Sequence, residues 1–132
     1  VQREESLIRQ AQQVMERAHA PYSRFSVGAA IESKDGRVFC GCNIESSSFG
    51  LTICAERVAI FKAISEGVRG FAAIAITSSS GTIVPPCGAC RQVLWDLAGD
   101  ISIIMAASEK DYQILPLSQL LPRAFNADFL LP

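Results

Sequence analysis

Two short runs carry residue types able to do chemistry: Cys54-Ala55-Glu56 and Pro86-Cys87-Gly88-Ala89-Cys90. Each sits where a helix is expected to begin. A thiolate there has a lowered pKa, because the unpaired N–H groups of a helix start favour negative charge. Three thiolates brought to one point would leave the fourth tetrahedral position of a Zn²⁺ ion open, the pattern of catalytic rather than structural zinc sites. Glu56 follows Cys54 by two residues. A carboxylate at a helix start is ordinarily just a favourable dipole partner; beside a zinc ion with an open position it becomes a general acid/base. Cys-x-x-Cys alone is equally a redox dithiol, or two cysteines buried as small hydrophobes. The cysteines are Cys40, Cys42, Cys54, Cys87 and Cys90. An odd count at uneven spacing makes a poor disulfide framework and points to metal binding or catalysis in a reducing, cytoplasmic compartment.

The surrounding pattern supplies elements that position these runs. Residues 4–18 read as an amphipathic helix, with Leu7, Ile8, Ala11, Val14, Met15 and Ala18 on one face, ending before Pro21. Val27 to Ser33 and Val38 to Ile44 read as strands joined by Lys34-Asp35-Gly36-Arg37, a hairpin turn signal. A second helix spans 54–66, with Val58, Phe61, Ala63 and Ile64 as its apolar positions. Phe71 to Thr77 is an apolar run suited to a strand buried on both faces. A third helix over Gly88 to Leu97, strands over Ile101 to Ala106 and Tyr112 to Leu115, and a last turn over Leu117 to Leu121 complete the order α-β-β-α-β-α-β-β-α. One strand separates the second and third helices, so a crossover can bring both helix starts to the carboxyl end of the sheet, where open α/β folds bind ligands. The hairpin makes the sheet mixed.

Length and composition narrow the function classes. The chain has 132 residues, within the range of one domain, so residues 1–132 are read as a single unit. No apolar run approaches the ~18 residues of a membrane span. No charged segment leads into an apolar one as in a secretory signal. Net charge is −1 without a basic block, which leaves no electrostatic footprint for a nucleic acid polymer. The chain is 49% apolar and 19% charged, with a mean hydropathy of +0.26, oily for a small monomer. A subunit interface would cover the excess apolar surface.

The ligand-x-Glu and Pro-Cys-x-x-Cys arrangement is the signature of zinc nucleobase deaminases. Four more blocks narrow the resemblance: residues 21–30 (Pro-Tyr-Ser-Arg-Phe-Ser-Val-Gly-Ala-Ala), Gly41-Cys42-Asn43-Ile44-Glu45, Arg91-Gln92 after Cys90, and Leu120-Leu121-Pro122-Arg123-Ala124-Phe125. From about residue 8 to about 126 the chain resembles the small homotetrameric cytidine deaminases of pyrimidine salvage. The resemblance implies a three-layer α-β-α sandwich around a five-stranded mixed sheet. It implies one Zn²⁺ per chain on Cys54, Cys87 and Cys90, with Glu56 shuttling protons in the hydrolytic deamination of a free pyrimidine nucleoside. It places Asn43 and Glu45 on the ribose 3′-hydroxyl, Phe25 beside the nucleoside and the Ala55 N–H on the base carbonyl. Asn43 and Glu45 stand at i and i+2 of the expected strand and so share a face. Arg57 would offset the net charge of three thiolates around Zn²⁺ by donating to the sulfurs. Phe125 would reach the site of a neighbouring subunit.

Some positions depart from that pattern. Phe49 stands where many relatives carry Tyr, and Pro85 where Ser is common. The family uses the backbone carbonyl at the latter position, and proline keeps its carbonyl.

Overall fold

The computed structural model describes residues 2–130. Its principal elements are α1 (Gln2–Met15), β1 (Val27–Ser33), β2 (Val38–Cys42), α2 (Ala55–Ser65), β3 (Phe71–Ser78), α3 (Gly88–Ala98), β4 (Ser102–Ser108), β5 (Asp111–Pro116) and α4 (Leu117–Leu120). The five strands form one sheet in the order β2-β1-β3-β4-β5. β3 and β4 are parallel, and the other neighbouring pairs are antiparallel. Among the described residues no helix is long and apolar enough to cross a membrane.

Side-chain alternation along the inner strands builds two cores. Ile31, Ile74, Ile76, Ile103 and Met105 face α2 and α3. Ala30, Ala73, Ala75, Ile104 and Ala106 face α1 with Leu7, Ile8 and Ala11. The sheet is therefore covered on both faces, the expected three-layer sandwich. The α1 side is built mostly from small residues, so that helix lies close to the sheet. At Gly28 a Cβ atom would stand 2.0 Å from the Ala11 carbonyl oxygen.

The edge of the sheet beneath α2 uses the same device. A Cβ at Gly41 would lie 2.5 Å from the Ala59 nitrogen and 2.7 Å from the Ala55 carbonyl oxygen. Such contact selects small residues on the helix. α2 accordingly buries Ala55, Glu56, Ala59, Ile60 and Ala63, while Phe61, expected on the apolar face, is exposed. The helix face is rotated from the one hydrophobicity marks because close packing, not bulk, decides which side turns inward.

Boundaries shift by a residue or two along the chain, and two of the shifts bear on the site. α1 ends at Met15, and the chain turns before His19, which pairs with Ile44 in an isolated bridge. β2 stops at Cys42, although Ile44 keeps partners in His19 and Ile53. Two antiparallel pairings separate β2 from β3, so these strands run in the same direction. α2 follows β2 and α3 follows β3, and both helices begin at the same end of the sheet.

Candidate active site

That topology brings the two cysteine runs together. Cys54 is the residue capping α2 and Cys87 the one capping α3; both have extended backbones and neither side chain bonds its own helix end. Their sulfurs point instead at each other, 3.7 Å apart. Cys90, in the first turn of α3, places its Sγ 3.2 Å from that of Cys87. All three sulfurs lie within 4.8 Å of one another. A tetrahedral zinc ion with Zn–S bonds of about 2.3 Å separates its sulfurs by about 3.8 Å. The cluster fits such an ion, with the Cys87–Cys90 pair widening slightly. The donor set is right as well, since soft thiolates favour zinc.

The electrostatics around the sulfurs are unequal. The Cys54 thiol is pulled down to about 5, first by a hydrogen bond with Cys90 and then by Arg57, against the effect of burial. Cys90 is pushed up by the same hydrogen bond, by burial and by the charge of Glu56, so Cys54 ionises first. Arg57 Nη2 donates to Cys54 Sγ at 3.3 Å. Its Nε is buried and has no protein partner. That hydrogen bond raises the guanidinium pKa and keeps it charged.

Glu56 lies one residue past the start of α2 and is only 4% exposed. Burial, reinforced by the charge of Cys54, lifts its carboxyl above the usual carboxylate range. A raised pKa suits a carboxyl that must both accept and return a proton.

Glu56 lines a cavity of 230 Å³, shared with Phe25, Val27, Asn43, Cys54 and Ala55. Pro85 and Cys87 line it too. Drug-sized pockets run to roughly 300–1,000 Å³, so this one suits a single small heterocycle. Asn43 is held in its lining: Nδ2 donates to the Phe25 carbonyl at 2.7 Å and Oδ1 accepts from the Val27 N–H at 2.8 Å. One amide hydrogen and one lone pair remain for a ligand. Glu45 also turns toward residues 22–27. It accepts from the Tyr22 and Ser23 amides at 3.0 and 3.2 Å and from the Ser23 hydroxyl. The Ser23 hydroxyl is the main reason its carboxyl lies below the usual range. Regular pairing has ended by then, so these separate bonds, not a common strand face, orient Asn43 and Glu45. The gathering of amides on Glu45 is accompanied by a left-handed backbone at Arg24, φ 58°.

Not every expected residue meets in that cavity. Glu45 lines a neighbouring hollow of 440 Å³ with Tyr22, Ser23 and Phe49, joined to the first through Thr52. Phe125 is outside both, half exposed and stacked on Phe129 with ring centroids 5.6 Å apart. Thr52, Ser78 and Val84 line the main cavity without having been marked by any sequence pattern.

The model of the cytidine and deoxycytidylate deaminase zinc-binding region matches residues 1–106. The chain belongs to this deaminase family. A cytidine deaminase of Halalkalibacterium halodurans is 51% identical over 123 residues, covering 92% of this chain and 93% of that one. A second, from Sporosarcina psychrophila, is 42% identical, covering 96% and 93%. Among solved structures, the cytidine deaminase of Burkholderia pseudomallei superposes with a TM-score of 0.87 at 44% identity, covering 91% of this deaminase-family chain and 97% of that one. The cytidine deaminase of Mycobacterium tuberculosis gives a TM-score of 0.81 at 40% identity, over 91% and 94%. Both cysteine runs and Glu56 fall inside the matched region, whose description supplies the metal that the sulfur geometry fits.

Proposed function

We propose that this chain, acting as one domain over residues 1–132, hydrolyses cytidine and 2′-deoxycytidine to the corresponding uridine and ammonia. The observation that carries this reading is a buried Glu56 carboxyl beside three convergent sulfurs in a cavity sized for one base. Cys54, Cys87 and Cys90 would hold the zinc ion, which when bound would supply Lewis acidity and lower the pKa of the reacting water toward ~7.

The chain's own groups do the rest. The Ala55 N–H, in the first turn of α2 with no intrahelical acceptor, meets the base carbonyl. The Pro85 carbonyl accepts from the exocyclic amine, and Phe25 packs against the nucleoside. Glu56 takes a proton from the attacking water and passes it to N3 as oxygen bonds to C4. It then takes the proton of the new C4 hydroxyl and delivers it to the amine; C4=O forms, the C4–N bond breaks, and ammonia leaves. Asn43 and Glu45 hold the ribose 3′-hydroxyl through their remaining hydrogen-bonding positions. A free 3′-hydroxyl marks a nucleoside, not an internal position of a polymer. Purified zinc protein given cytidine as sole substrate should release ammonia and uridine in equal amounts; no ammonia release would overturn the reading.

Arg57 offsets the surplus negative charge of the thiolates. Arg57→Ala is expected to fold normally, to turn over more slowly and to bind zinc ~10–100-fold more weakly, the usual cost of losing a partner of a metal ligand. Unchanged zinc affinity and kinetics would make Arg57 an ordinary surface residue.

The site is completed by assembly into a homotetramer in the cytoplasm, where three thiolates stay reduced. Phe49 is 72% exposed, Leu51 70% and Phe129 71%, apolar surface that neighbouring subunits would cover. Phe125, delivered by a neighbour, stacks on the pyrimidine, a contact worth about 1–3 kcal/mol per base. Light scattering should give four times the 14.2 kDa chain mass. Phe125→Ala should keep that mass and lose kcat/KM for cytidine by about 5- to 150-fold, the factor equivalent to that energy. A fully active monomer would contradict the shared site.

A further inference from the structure

The residue after Cys90 has no role in the chemistry above, yet it reaches both the metal-ligand turn and the C-terminal segment. Arg91 Nε donates to the Pro86 carbonyl at 2.8 Å, and Nη1 donates to the Leu120 carbonyl at 2.7 Å. We propose that Arg91 is a positioning residue that fastens the Pro86–Cys87 turn to the C-terminal segment carrying Phe125; its kinetic consequences rest on the deaminase reading above.

Three observations carry this. First, the Pro86 carbonyl belongs to the peptide bond that leads into Cys87. Fixing that oxygen fixes the peptide plane from which the Cys87 sulfur is presented, and Pro86 itself is fully buried. Second, Leu120 is the last residue of α4, so the guanidinium charge meets a carbonyl that the helix leaves unpaired. Third, the next residue continues the tie: Gln92 Nε2 donates to the Phe125 carbonyl at 2.8 Å. Between these two anchor points the backbone at Arg123 is left-handed, φ 53°. A non-glycine residue keeps such a conformation only where its surroundings fix it. α3 supplies the fixing, through Arg91 on one side of Arg123 and Gln92 on the other. A planar guanidinium suits this task because it offers donors in a rigid fork to two carbonyls at once; a lysine ammonium is a single point charge on a flexible stem.

The test separates Arg91 from its neighbour. Zinc release from the holoprotein to a chromogenic chelator is timed for wild type, Arg91→Ala, Arg91→Lys and Gln92→Ala, and KM and kcat for cytidine are measured on the same preparations. Arg91→Ala should release zinc about 10-fold faster, the lower end of what supporting residues of metal sites cost. Its KM should rise more than its kcat falls. Arg91→Lys should fall between it and wild type. Gln92→Ala should raise KM but release zinc at the wild-type rate, because its bonds go to the tail and to Asp96 and none goes to the metal-ligand turn. Wild-type zinc release in both Arg91 variants would overturn the assignment, as would equal acceleration in Gln92→Ala. If Arg91→Ala does not fold, Arg91→Lys decides alone. Failure of the deaminase reading would appear separately, as wild-type protein inert toward cytidine, and leaves the zinc-release comparison valid.

Discussion

Glu56→Gln is expected to lower kcat on cytidine by at least ~10⁴-fold, the upper end for loss of a general acid/base, because one carboxylate serves several proton transfers. Glutamine keeps the shape and can accept a hydrogen bond, but it cannot take and return a proton. Zinc content should be unchanged, since Glu56 is not among the clustered sulfur ligands. The fold should not suffer either. Burial raises the Glu56 pKa, so the folded state holds that proton more tightly than the unfolded chain does. Its stabilising contribution is therefore present at low pH and lost as pH rises through the raised value. Glutamine removes that loss, and the variant should melt no lower than wild type at pH 7. The same raised pKa sets the acid limb of the pH–rate profile: activity should fall as pH is lowered, with the midpoint of that fall above the ordinary glutamate value of about 4.3. Near-normal turnover in Glu56→Gln would remove Glu56 from the mechanism.

Stripping zinc should bring turnover to background, and adding it back should restore it. The sulfurs come from two helix starts on separate crossovers, so the ion also ties α2 to α3. A ligand that binds only the folded state stabilises it by about 4 kcal/mol when present at a thousand times its Kd. The stripped protein should therefore melt lower than the loaded one. Cys90→Ala, at a fully buried position, should reproduce both effects, whereas Cys42→Ala should reproduce neither. Metal analysis, activity and thermal melting on the same samples check this, and a metal-free protein with full activity would contradict it.

The parts of the site that the sequence made legible are those where chemistry and local pattern coincide. Cys54, Glu56, Cys87 and Cys90 stand at helix starts, and the alternation of apolar runs dictates where those helices begin. The phase of α2 was not legible, because its buried face is decided by the approach to Gly41, a contact between residues distant in sequence. Nor was the end of β2: hydrophobicity runs on through Ile44, but the ladder stops at Cys42 when residues 19–27 fold across it. The roles of Arg91 and Gln92 were invisible for another reason. Their partners are backbone carbonyls, and every residue carries one, so no side-chain pattern announces the match.

The central claim is that this zinc site acts on a free nucleoside. Its most direct test follows the ultraviolet absorbance of cytidine and of a short cytosine-containing oligonucleotide side by side, with the same zinc-loaded protein. The account predicts steady loss of the cytidine signal and no conversion of internal cytosines, because the proposed role of Asn43 and Glu45 is to hold an open 3′-hydroxyl. Conversion of internal cytosines at a comparable rate, or an unchanged cytidine spectrum, would contradict it.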